Sequence, residues 1–405
     1  MTEPAAAAKG PVKDEHIMGV YKRAPLAFER GEGVHLYTGD GEEYLDCMAG
    51  IAVNALGHSH PALVKALKEQ GEKLWHVSNI FRIPGQEVLA KKLCDHSFAD
   101  VAFFTNSGTE AIELAIKTAR KYHYDKGQPE RIDIIGFEGS FHGRSLAAVQ
   151  ASGNKAYTDG FGPVVGYVNL PYDDLEAVKA AVGPTTAAIM IEPVQGEGGA
   201  RSAADCYLRA LRQICDQTGT LLIYDEVQCG LGRTGKLFAY EWAGAEPDIM
   251  TLAKALGGGF PVGVLLATRE AASGMTVGTH GSTYGGNPLA MAVGNAAVDE
   301  LLKPELKQHV NDVAGYFVQQ LQGLKARYPD VIDDVRGKGL LIGVKLKTPN
   351  RAFMQHARDA HLLIAGGGDN CIRFLPPLII TESEAREALA RFETACQAAQ
   401  KDAGK

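Results

Sequence analysis

The sequence predicts a mostly parallel α/β fold with a smaller α+β region that follows it. Apolar runs of four to six residues recur between about residues 101 and 267. They lack the polar–apolar alternation of half-exposed strands, which indicates strands buried on both faces. Segments with apolar residues at helical spacing lie between the runs, and this strand–helix–strand order favours a parallel sheet. After about residue 300 the pattern changes.

The apolar runs define the strands of the main sheet. The predicted strands are Val101–Phe104, Ile132–Phe137, Ala187–Ile191, Leu221–Tyr224, Ile249–Leu252 and Val262–Ala267. Glycine, proline or polar residues bound each run. Thr109–Tyr124 and Cys206–Gln217 are predicted as helices between these strands.

The ends of the chain have a different pattern. Near the start, Val34–Tyr37 and Glu43–Cys47 favour a hairpin around the turn Gly39-Asp40-Gly41. The C-terminal part predicts a helix over 305–328, strands at Leu340–Leu346 and Ile372–Leu375, and a helix over about 382–400.

These patterns predict two domains. Residues 51–295 are expected to form a large domain, and residues 1–50 and 296–405 a small one. The first ~15 residues are expected to be a loose tail, and they lack the apolar core of a signal peptide.

Composition narrows the class of protein. The chain has 405 residues, 45% of them hydrophobic, and a formal net charge of −7. It carries no basic run, so no nucleic-acid or membrane partner is expected. No apolar run approaches the ~20 residues needed to span a bilayer. The seven cysteines are widely spaced without a C-x-x-C motif, which favours reduced thiols in a cytoplasmic protein.

The segment FFTNSGTEAIELAIKTAR, residues 103–120, indicates an anion site. Ser107 stands three residues before Glu110, which is a capping-box pattern at the start of a helix. Gly108 lets a ligand approach the backbone, and free amides with the Ser107 and Thr109 hydroxyls could bind a phosphate. The alternative is an ordinary capped helix.

The segment LLIYDEVQCGLGRTG, residues 221–235, places Asp225 at the carboxyl end of an apolar strand. Ligands gather at that edge of an open α/β sheet. A buried carboxylate there needs a cationic partner, and a protonated pyridine nitrogen would serve. The alternative is an acidic pair, Asp225 and Glu226, that caps a turn.

The same segment contains G-x-G-x-x-G at Gly230, Gly232 and Gly235. A dinucleotide-binding motif should directly follow a strand and open a long helix. Four residues intervene here, and the short aromatic stretch after Lys236 does not predict a long helix. We therefore do not expect a nicotinamide or flavin site.

The segment DIMTLAKALGGGFPVG, residues 248–263, contains one lysine, Lys254, in an apolar stretch. Burial disfavours the charged amine, and a neutral lysine can form an imine with a carbonyl. The alternative is a lysine that extends to the surface. An imine-forming lysine, a carboxylate for a pyridine and a phosphate site are together what pyridoxal 5′-phosphate requires.

The chain as a whole resembles the class III aminotransferases of fold type I, and most closely their acetylornithine-type members. The likeness extends from about Tyr21 to Ala395. Seven motifs carry it: GIAVNALGHSHP (50–61), NSGTEA (106–111), SFHGRS (140–145), EPVQGEGG (192–199), DEVQCGLGRTG (225–235), AKALGGGFP (253–261) and GSTYGGNPLA (281–290). The resemblance implies a seven-stranded, mostly parallel sheet in the large domain and a homodimer with shared active sites.

The resemblance also implies roles for individual residues. Lys254 and Asp225 would be catalytic, the first as the imine-forming amine and the second as the partner of the pyridine nitrogen. The implied cofactor-binding residues also include Ser107, Gly108, Thr109, Phe141, Gln228 and, from the partner subunit, Thr283. The implied substrate-binding residues are Arg144, Glu197, Ser282 and Arg373, and Ser282 could also reach the phosphate.

The implied pair Arg373 and Glu197 would let one site accept two substrates. Arg373 would bind a carboxylate of 2-oxoglutarate or glutamate, and Glu197 would neutralise it when the other amine donor is bound. The function implied is transfer of the δ-amino group of N2-acetyl-L-ornithine to 2-oxoglutarate, in arginine biosynthesis.

Several alternatives stay open. Succinylornithine, succinyldiaminopimelate, ornithine and 4-aminobutyrate are competing donors, and TVGTHGSTYGGNPLA also resembles the succinylornithine enzymes. Ornithine enzymes commonly carry a tyrosine near Gly50-Ile51, which this chain lacks. An aminomutase or a non-catalytic protein of this fold is a more distant alternative.

Four side chains in the motifs are expected to have ordinary structural roles or polar contacts. His58 and His60 have no evident third ligand, so no metal is expected. His142 is expected to contact either a cofactor or the neighbouring backbone, or to be structural, and Cys229 to be a packing residue.

Overall fold

The computed structural model describes residues 16–403. Its strands, in chain order, are β1 (Phe28–Glu32), β2 (His35–Thr38), β3 (Glu43–Asp46), β4 (Val101–Thr105), β5 (Asp133–Phe137), β6 (Tyr167–Leu170), β7 (Thr186–Ile191), β8 (Val194–Gln195), β9 (Arg201–Ser202), β10 (Leu221–Asp225), β11 (Ile249–Leu252), β12 (Gly263–Ala267), β13 (Ile332–Lys338), β14 (Leu341–Leu346), β15 (Leu362–Leu363), β16 (Ala365–Gly366) and β17 (Cys371–Phe374). The expected tail over the first ~15 residues lies outside the described residues.

The main sheet has seven strands in the order β4-β12-β11-β10-β7-β5-β6. Only β12 is antiparallel to its two neighbours, and the other pairs are parallel. Every residue of β7, β10, β11 and β12 is buried. The apolar runs therefore correctly predicted a mostly parallel sheet that is covered on both faces.

Helices cover both faces of this sheet and pack between the other elements. They span Pro61–Gly71, Pro84–Asp95, Gly108–Asp125, Leu146–Ser152, Lys155–Thr158, Leu175–Ala181, Asp205–Thr218, Pro288–Leu301, Pro304–Arg327, Asn350–Asp359 and Glu382–Ala403. Short 3₁₀ helices lie at Ala239–Trp242 and Lys254–Leu256. The helix Gly108–Asp125 buries an apolar side that includes Ile112, Ile116 and Ala119, as its helical spacing predicts.

Two smaller sheets bring the chain ends together. One has the order β1-β2-β3-β15 and the other β13-β14-β17-β16. The predicted hairpin is β2 and β3, and β15 from the C-terminal part pairs with β3 in parallel. Tyr44 of β3 stacks on His361 with ring centroids 4.6 Å apart. The expected smaller α+β region from both chain ends is thereby confirmed.

The domain boundaries after residues 50 and 295 stay predictions. The second falls within the helix Pro288–Leu301. Among the described residues, no helix is both long and apolar enough to cross a membrane.

Candidate active site

A cavity of about 340 Å³ lies at the carboxyl ends of the parallel strands. Its walls come from the segments that follow β4, β5, β7, β10 and β11. Parallel strands bring such segments to one edge of the sheet, which is where open α/β folds bind ligands. Seven of the predicted site residues line the cavity: Ser107, Gly108, Thr109, Phe141, Asp225, Gln228 and Lys254. Arg373 lies behind this wall and donates a hydrogen bond to Gln228.

Lys254 begins the 3₁₀ turn that follows β11. Its backbone has φ +47°, a left-handed conformation that is rare for a residue with a side chain. Burial lowers the pKa of Lys254 to about 8, and the charge of Arg373 adds to this, whereas Asp225, Glu192 and Glu197 oppose it. Its Nζ has no hydrogen bond or ion pair with the described residues. The amine is therefore available as a nucleophile near neutral pH.

Asp225 ends β10 and is held from three directions. Its Oδ2 lies 2.7 Å from Nδ1 of His142, and its Oδ1 accepts a hydrogen bond from the Val227 amide at 3.0 Å and one from Thr251 Oγ1 at 3.3 Å. Burial alone would lower the pKa of His142, but the hydrogen bond and charge of Asp225, together with the charge of Glu192, raise it overall. The Asp225 carboxylate thus favours the protonated form of His142.

Glu192 follows β7 and adds a second buried carboxyl to the cavity wall. It accepts hydrogen bonds from the amides of Phe141 at 3.0 Å and Gly196 at 3.3 Å. Burial raises the pKa of Glu192 to about 7, and Asp225 contributes to the rise, while the charge of His142 and the two amides oppose it. The motifs did not predict a role for Glu192.

Asp225 and Glu226 have different surroundings. Glu226 is fully buried and accepts hydrogen bonds from the amides of Ala239 at 2.6 Å and Tyr240 at 2.8 Å, at the start of a 3₁₀ helix. The turn-capping interpretation therefore fits Glu226, while Asp225 faces the cavity. Only this four-residue helix follows the G-x-G-x-x-G segment, so the segment lacks the long helix of a dinucleotide site.

The predicted phosphate site is the start of the helix Gly108–Asp125. Ser107 is its N-cap, and Ser107 Oγ accepts a hydrogen bond from the Glu110 amide at 3.2 Å. The Glu110 carboxylate accepts from the Asn106 amide at 2.6 Å, so the capping box is displaced by one residue. The amides of Gly108 and Thr109 have no acceptor among the described residues, and these two residues line the cavity. Free amides at a helix start bind anions.

Gly143 lies against this phosphate site. It has φ +126°, and a Cβ built there would lie within 2.4 Å of Thr109 Oγ1. Only glycine allows that close approach and that backbone conformation. Phe141, two residues earlier, presents its ring to the same cavity.

Arg373 and Glu197 form an ion pair at the side of the cavity. Arg373 lies in β17 and is fully buried, and its NH2 group donates to Glu197 Oε2 at 2.7 Å. The same guanidinium donates to Gln228 Oε1 at 3.2 Å. Glu197 itself is not part of the cavity wall. The structure thus brings together the arginine and the glutamate that the resemblance implied for two substrates.

Arg144 is exposed and does not line the cavity. Its guanidinium carbon lies 3.7 Å from the centroid of the Tyr157 ring and 5.3 Å from that of Phe141. Stacking of this kind orients a guanidinium and leaves its edge free for a carboxylate. The sequence analysis did not identify Tyr157.

Ser282 and Thr283 also lie outside the cavity wall. Thr283 is exposed. Ser282 Oγ accepts a hydrogen bond from the Gly285 amide at 2.8 Å and lies 3.5 Å from Nδ2 of Asn106, a residue of the cavity wall. Asn106 is therefore the link between this exposed segment and the phosphate site.

The remaining candidates have structural surroundings. His58 Nε2 lies 2.8 Å from Asp46 Oδ2, and Asp46 Oδ1 accepts from the amides of Met48 and Ala49. Within residues 16–403, no three histidine, cysteine, aspartate or glutamate side chains form a group that could bind a metal. Cys229 is buried, and burial raises the pKa of its thiol, as expected for a packing residue.

The residues present fit pyridoxal 5′-phosphate. The cavity combines an unpaired lysine amine, two free helix amides beside a glycine that leaves room for a phosphate, and a carboxylate paired with a buried histidine. The fold and this site define an enzyme that binds its cofactor through a lysine.

Comparison with known proteins identifies the family. A family model described as "Aminotransferase class-III" matches residues 18–396. The acetylornithine aminotransferase 2 of Caulobacter vibrioides is 67% identical over 398 residues, which cover 98% of both chains. The chain therefore belongs to the class-III aminotransferases, and it is a pyridoxal-phosphate-dependent aminotransferase.

Two solved structures show the same fold. The N-acetylornithine aminotransferase of Stenotrophomonas maltophilia is 37% identical, with a TM-score of 0.84, and the match covers 95% of this chain and 98% of that one. The ornithine aminotransferase of Toxoplasma gondii is 30% identical, with a TM-score of 0.92, and covers 96% and 94%. The higher TM-score accompanies the lower identity, so the fold does not distinguish the two substrates.

Proposed function

We propose that the enzyme transfers the δ-amino group of N2-acetyl-L-ornithine to 2-oxoglutarate, giving N-acetyl-L-glutamate 5-semialdehyde and L-glutamate. The name of the Caulobacter relative, at 67% identity, supports this donor. The observation that carries the two-substrate part is the ion pair of Arg373 and Glu197 beside the cavity. This reaction belongs to arginine biosynthesis, and we propose a cytoplasmic enzyme that binds neither nucleic acid nor membranes.

Lys254 is the proposed catalytic amine. When bound, pyridoxal 5′-phosphate supplies an electron-withdrawing ring that stabilises negative charge on the carbon bearing the transferred amine. Lys254 holds the cofactor between reactions and then moves a proton at the reacting carbon as a free amine. Its lowered pKa makes the neutral base available near neutral pH.

Asp225 is proposed to pair with the pyridine nitrogen. An ionised carboxylate beside that nitrogen favours its protonated form. His142 orients the Asp225 carboxylate, and the Val227 amide and Thr251 hydroxyl complete its hydrogen bonding. This end of the cavity is thus proposed to fix the ring.

The other wall residues are proposed to position the cofactor. Ser107, Gly108 and Thr109 bind the phosphate through amides and hydroxyls, and Phe141 stacks on the ring. Gln228 would contact the hydroxyl side of the bound ring, and it accepts a hydrogen bond from Arg373. Gln228 therefore connects the cofactor position with the substrate-binding arginine.

Arg144 and Arg373 are proposed to bind substrate carboxylates. A forked guanidinium suits a carboxylate, and Arg144 is held by the Tyr157 ring with its edge exposed. Glu197 neutralises Arg373 while N-acetylornithine is bound, because a buried arginine without a partner is unfavourable. The second carboxylate of 2-oxoglutarate or glutamate then replaces Glu197.

We propose a homodimer with shared active sites. Trp75, Ile80 and Phe81 form an exposed apolar surface, with exposed fractions of 68%, 83% and 61%, and such surfaces typically mark interfaces. Asn79, in the same segment, donates hydrogen bonds to the carbonyls of Ser282 and Gly285, both at 2.9 Å. The exposed Thr283 therefore lies beside this surface, where it can reach the phosphate of the partner's site.

Subunit complementation tests the shared site. We expect Lys254→Ala and Thr283→Ala each to be nearly inactive alone. Subunits mixed under conditions that allow exchange should regain activity, because one site in each mixed dimer then has both native residues. Sedimentation should show a dimer, and no recovery from mixed subunits of proven exchange would argue against sharing.

The half-reaction with single amines tests the donor. Purified enzyme is mixed separately with N-acetylornithine, N-succinylornithine, N-succinyldiaminopimelate, ornithine and 4-aminobutyrate, and the loss of visible absorbance of the lysine-bound cofactor is followed. We expect the highest rate per concentration with N-acetylornithine, reversed by 2-oxoglutarate. Preference for another donor would reassign the substrate, and no absorbance change with any amine would overturn the transfer reaction.

A further inference from the structure

Three residues form a row across the smaller sheet. Arg336 of β13 is directly opposite Gly343 of β14, and Gly343 is opposite Arg373 of β17. Directly opposed residues of neighbouring strands project from the same face of a sheet. Two arginines therefore share this face, on either side of a position without a side chain.

The segment Gly196–Ala200, which contains Glu197, lies on this row. A Cβ built on Gly343 would lie 2.8 Å from the Gly199 carbonyl oxygen and 2.9 Å from Ala200 Cβ. Gly199 has φ +96°, and a Cβ there would lie 2.6 Å from NH2 of Arg336. Two glycines thus allow the segment to contact the sheet between the arginines.

Arg336 ties this segment to the sheet and to the loop Gly367–Asn370. Its Nε donates to the Gly199 carbonyl at 2.7 Å, and its NH1 lies 2.8 Å from Asp369 Oδ2. The Gly368 amide donates to the Glu197 carbonyl at 2.6 Å. The backbone from the Glu197 carbonyl to Gly199 is therefore held by Arg336, directly at Gly199 and through the loop at Glu197.

We propose that Arg336 is a positioning residue for Glu197 and thereby sets the preference between the two substrates. The inference rests on the proposed function of the pair of Arg373 and Glu197. Glu197 has a side chain that is 39% exposed, so its pairing with Arg373 depends on how well its backbone is held. A fixed backbone reduces the conformational entropy lost when the pair forms, while the side chain stays free to move.

This arrangement predicts the direction in which removal of Arg336 changes each half-reaction. A looser segment weakens the neutralisation of Arg373. N-acetylornithine, which lacks a second carboxylate, then binds beside an Arg373 whose charge is less well neutralised. Its half-reaction is therefore slower. Glutamate pairs with Arg373 itself, and its half-reaction is kept or becomes faster.

The experiment compares two half-reactions in Arg336→Gln. The single-turnover kcat/KM is measured with N-acetylornithine and with glutamate, and their ratio is compared with the wild-type ratio. We expect the ratio to fall about 3–10-fold, as for loss of one positioning hydrogen bond. Lys345→Met is the matched control, because Lys345 Nζ also pairs with Asp369, at 3.2 Å, without contacting Gly199. Its ratio should equal the wild-type value.

A double-mutant cycle separates positioning from general damage. In the Glu197→Ala background, Arg336→Gln should leave the ratio unchanged, since the residue it positions is gone. Arg336→Lys keeps a cation for Asp369 and should show a smaller change in the same direction, and it serves if Arg336→Gln does not fold. An equal loss in both half-reactions, or the same change of ratio with and without Glu197, would overturn the proposal.

The wild-type measurements distinguish this inference from the proposed function. If wild-type enzyme reacts with glutamate but not with N-acetylornithine, the proposed donor is wrong. N-acetylornithine is then replaced by an amine that the wild-type enzyme accepts and that has no second carboxylate. The kcat/KM ratio of that amine to glutamate tests the role of Arg336 by the same criteria.

Discussion

Two ion pairs of the same length hold the two ends of this active site, and they differ in burial. His142 and Asp225 are 2.7 Å apart, with side chains 0% and 3% exposed. Arg373 and Glu197 are also 2.7 Å apart, but their side chains are 2% and 39% exposed. Only the second pair has a member that can reach solvent.

The number of hydrogen bonds reinforces this difference. Asp225 is also bonded to the Val227 amide and the Thr251 hydroxyl. The Glu197 carboxylate has one side-chain partner, Arg373, among the described residues. Moving a buried, fully hydrogen-bonded carboxylate costs much free energy, whereas a partly exposed carboxylate can exchange its partner for water. We infer that the first pair fixes the cofactor and the second changes with the substrate.

The largest expected effect comes from breaking the fixed pair. Asp225→Ala should lower kcat/KM by about 10²–10⁴-fold for both substrates alike, since removing one partner of a buried pair costs about 3–5 kcal/mol. Steady-state rates with each substrate measure this, with retained visible absorbance showing that cofactor is still bound. A loss confined to one substrate would contradict the assignment.

Changing the histidine of the same pair should have a smaller effect. His142→Asn should lower kcat about 10–100-fold with little change in KM, as expected for the loss of a charged hydrogen bond. The measurement is the full saturation curve for both substrates. A rise in KM alone would indicate that His142 contacts substrate and does not hold Asp225.

Breaking the second pair should separate the substrates. Glu197→Ala should lower the kcat/KM ratio of N-acetylornithine to glutamate about 5–30-fold, because the variant leaves Arg373 without its charged partner. Glu138→Ala, at an exposed glutamate, is the control. Unchanged ratios would mean that Glu197 does not neutralise Arg373 during catalysis.

The smallest expected effect is a pH dependence of stability. Burial raises the pKa of Glu192 to about 7 from 4.5, so the folded state holds this proton more tightly than the unfolded state. Proton binding by Glu192 therefore stabilises the folded state fully below about pH 4.5, and this contribution is lost as pH rises through about 7. The Tm of Glu192→Gln relative to that of wild type should therefore rise by about 2–5 °C between pH 5 and pH 8. Exposed Glu246→Gln should show no such trend.

Burial also decided which parts of the fold could be predicted from sequence. The strands of the main sheet are continuous apolar runs, and six of them were predicted within one or two residues. β6, at the edge of the sheet, is only partly buried and was not predicted. β13, with the sequence IDDVRGK, carries charges on its partly buried positions and has no apolar run to recognise.

The site was predictable where a charge interrupts an apolar run, as at Asp225 and Lys254. The pairing of His142 with Asp225 and the place of Glu192 in the cavity wall were not predicted, because they depend on sheet order. His142 and Glu192 follow β5 and β7, and the folded sheet places β7 next to β10 and β5 on the other side of β7. Neighbours of this kind, like Arg336 and Arg373 across β14, are set by topology and not by spacing along the chain.

The most direct test is a crystal structure of the cofactor-loaded enzyme with glutamate bound. We expect Glu197 to have moved beyond hydrogen-bond distance of Arg373, with a glutamate carboxylate in its place, while His142 and Asp225 remain about 2.7 Å apart. An intact pair of Arg373 and Glu197 beside bound glutamate, or a broken pair of His142 and Asp225, would contradict the division into a fixed end and a movable end.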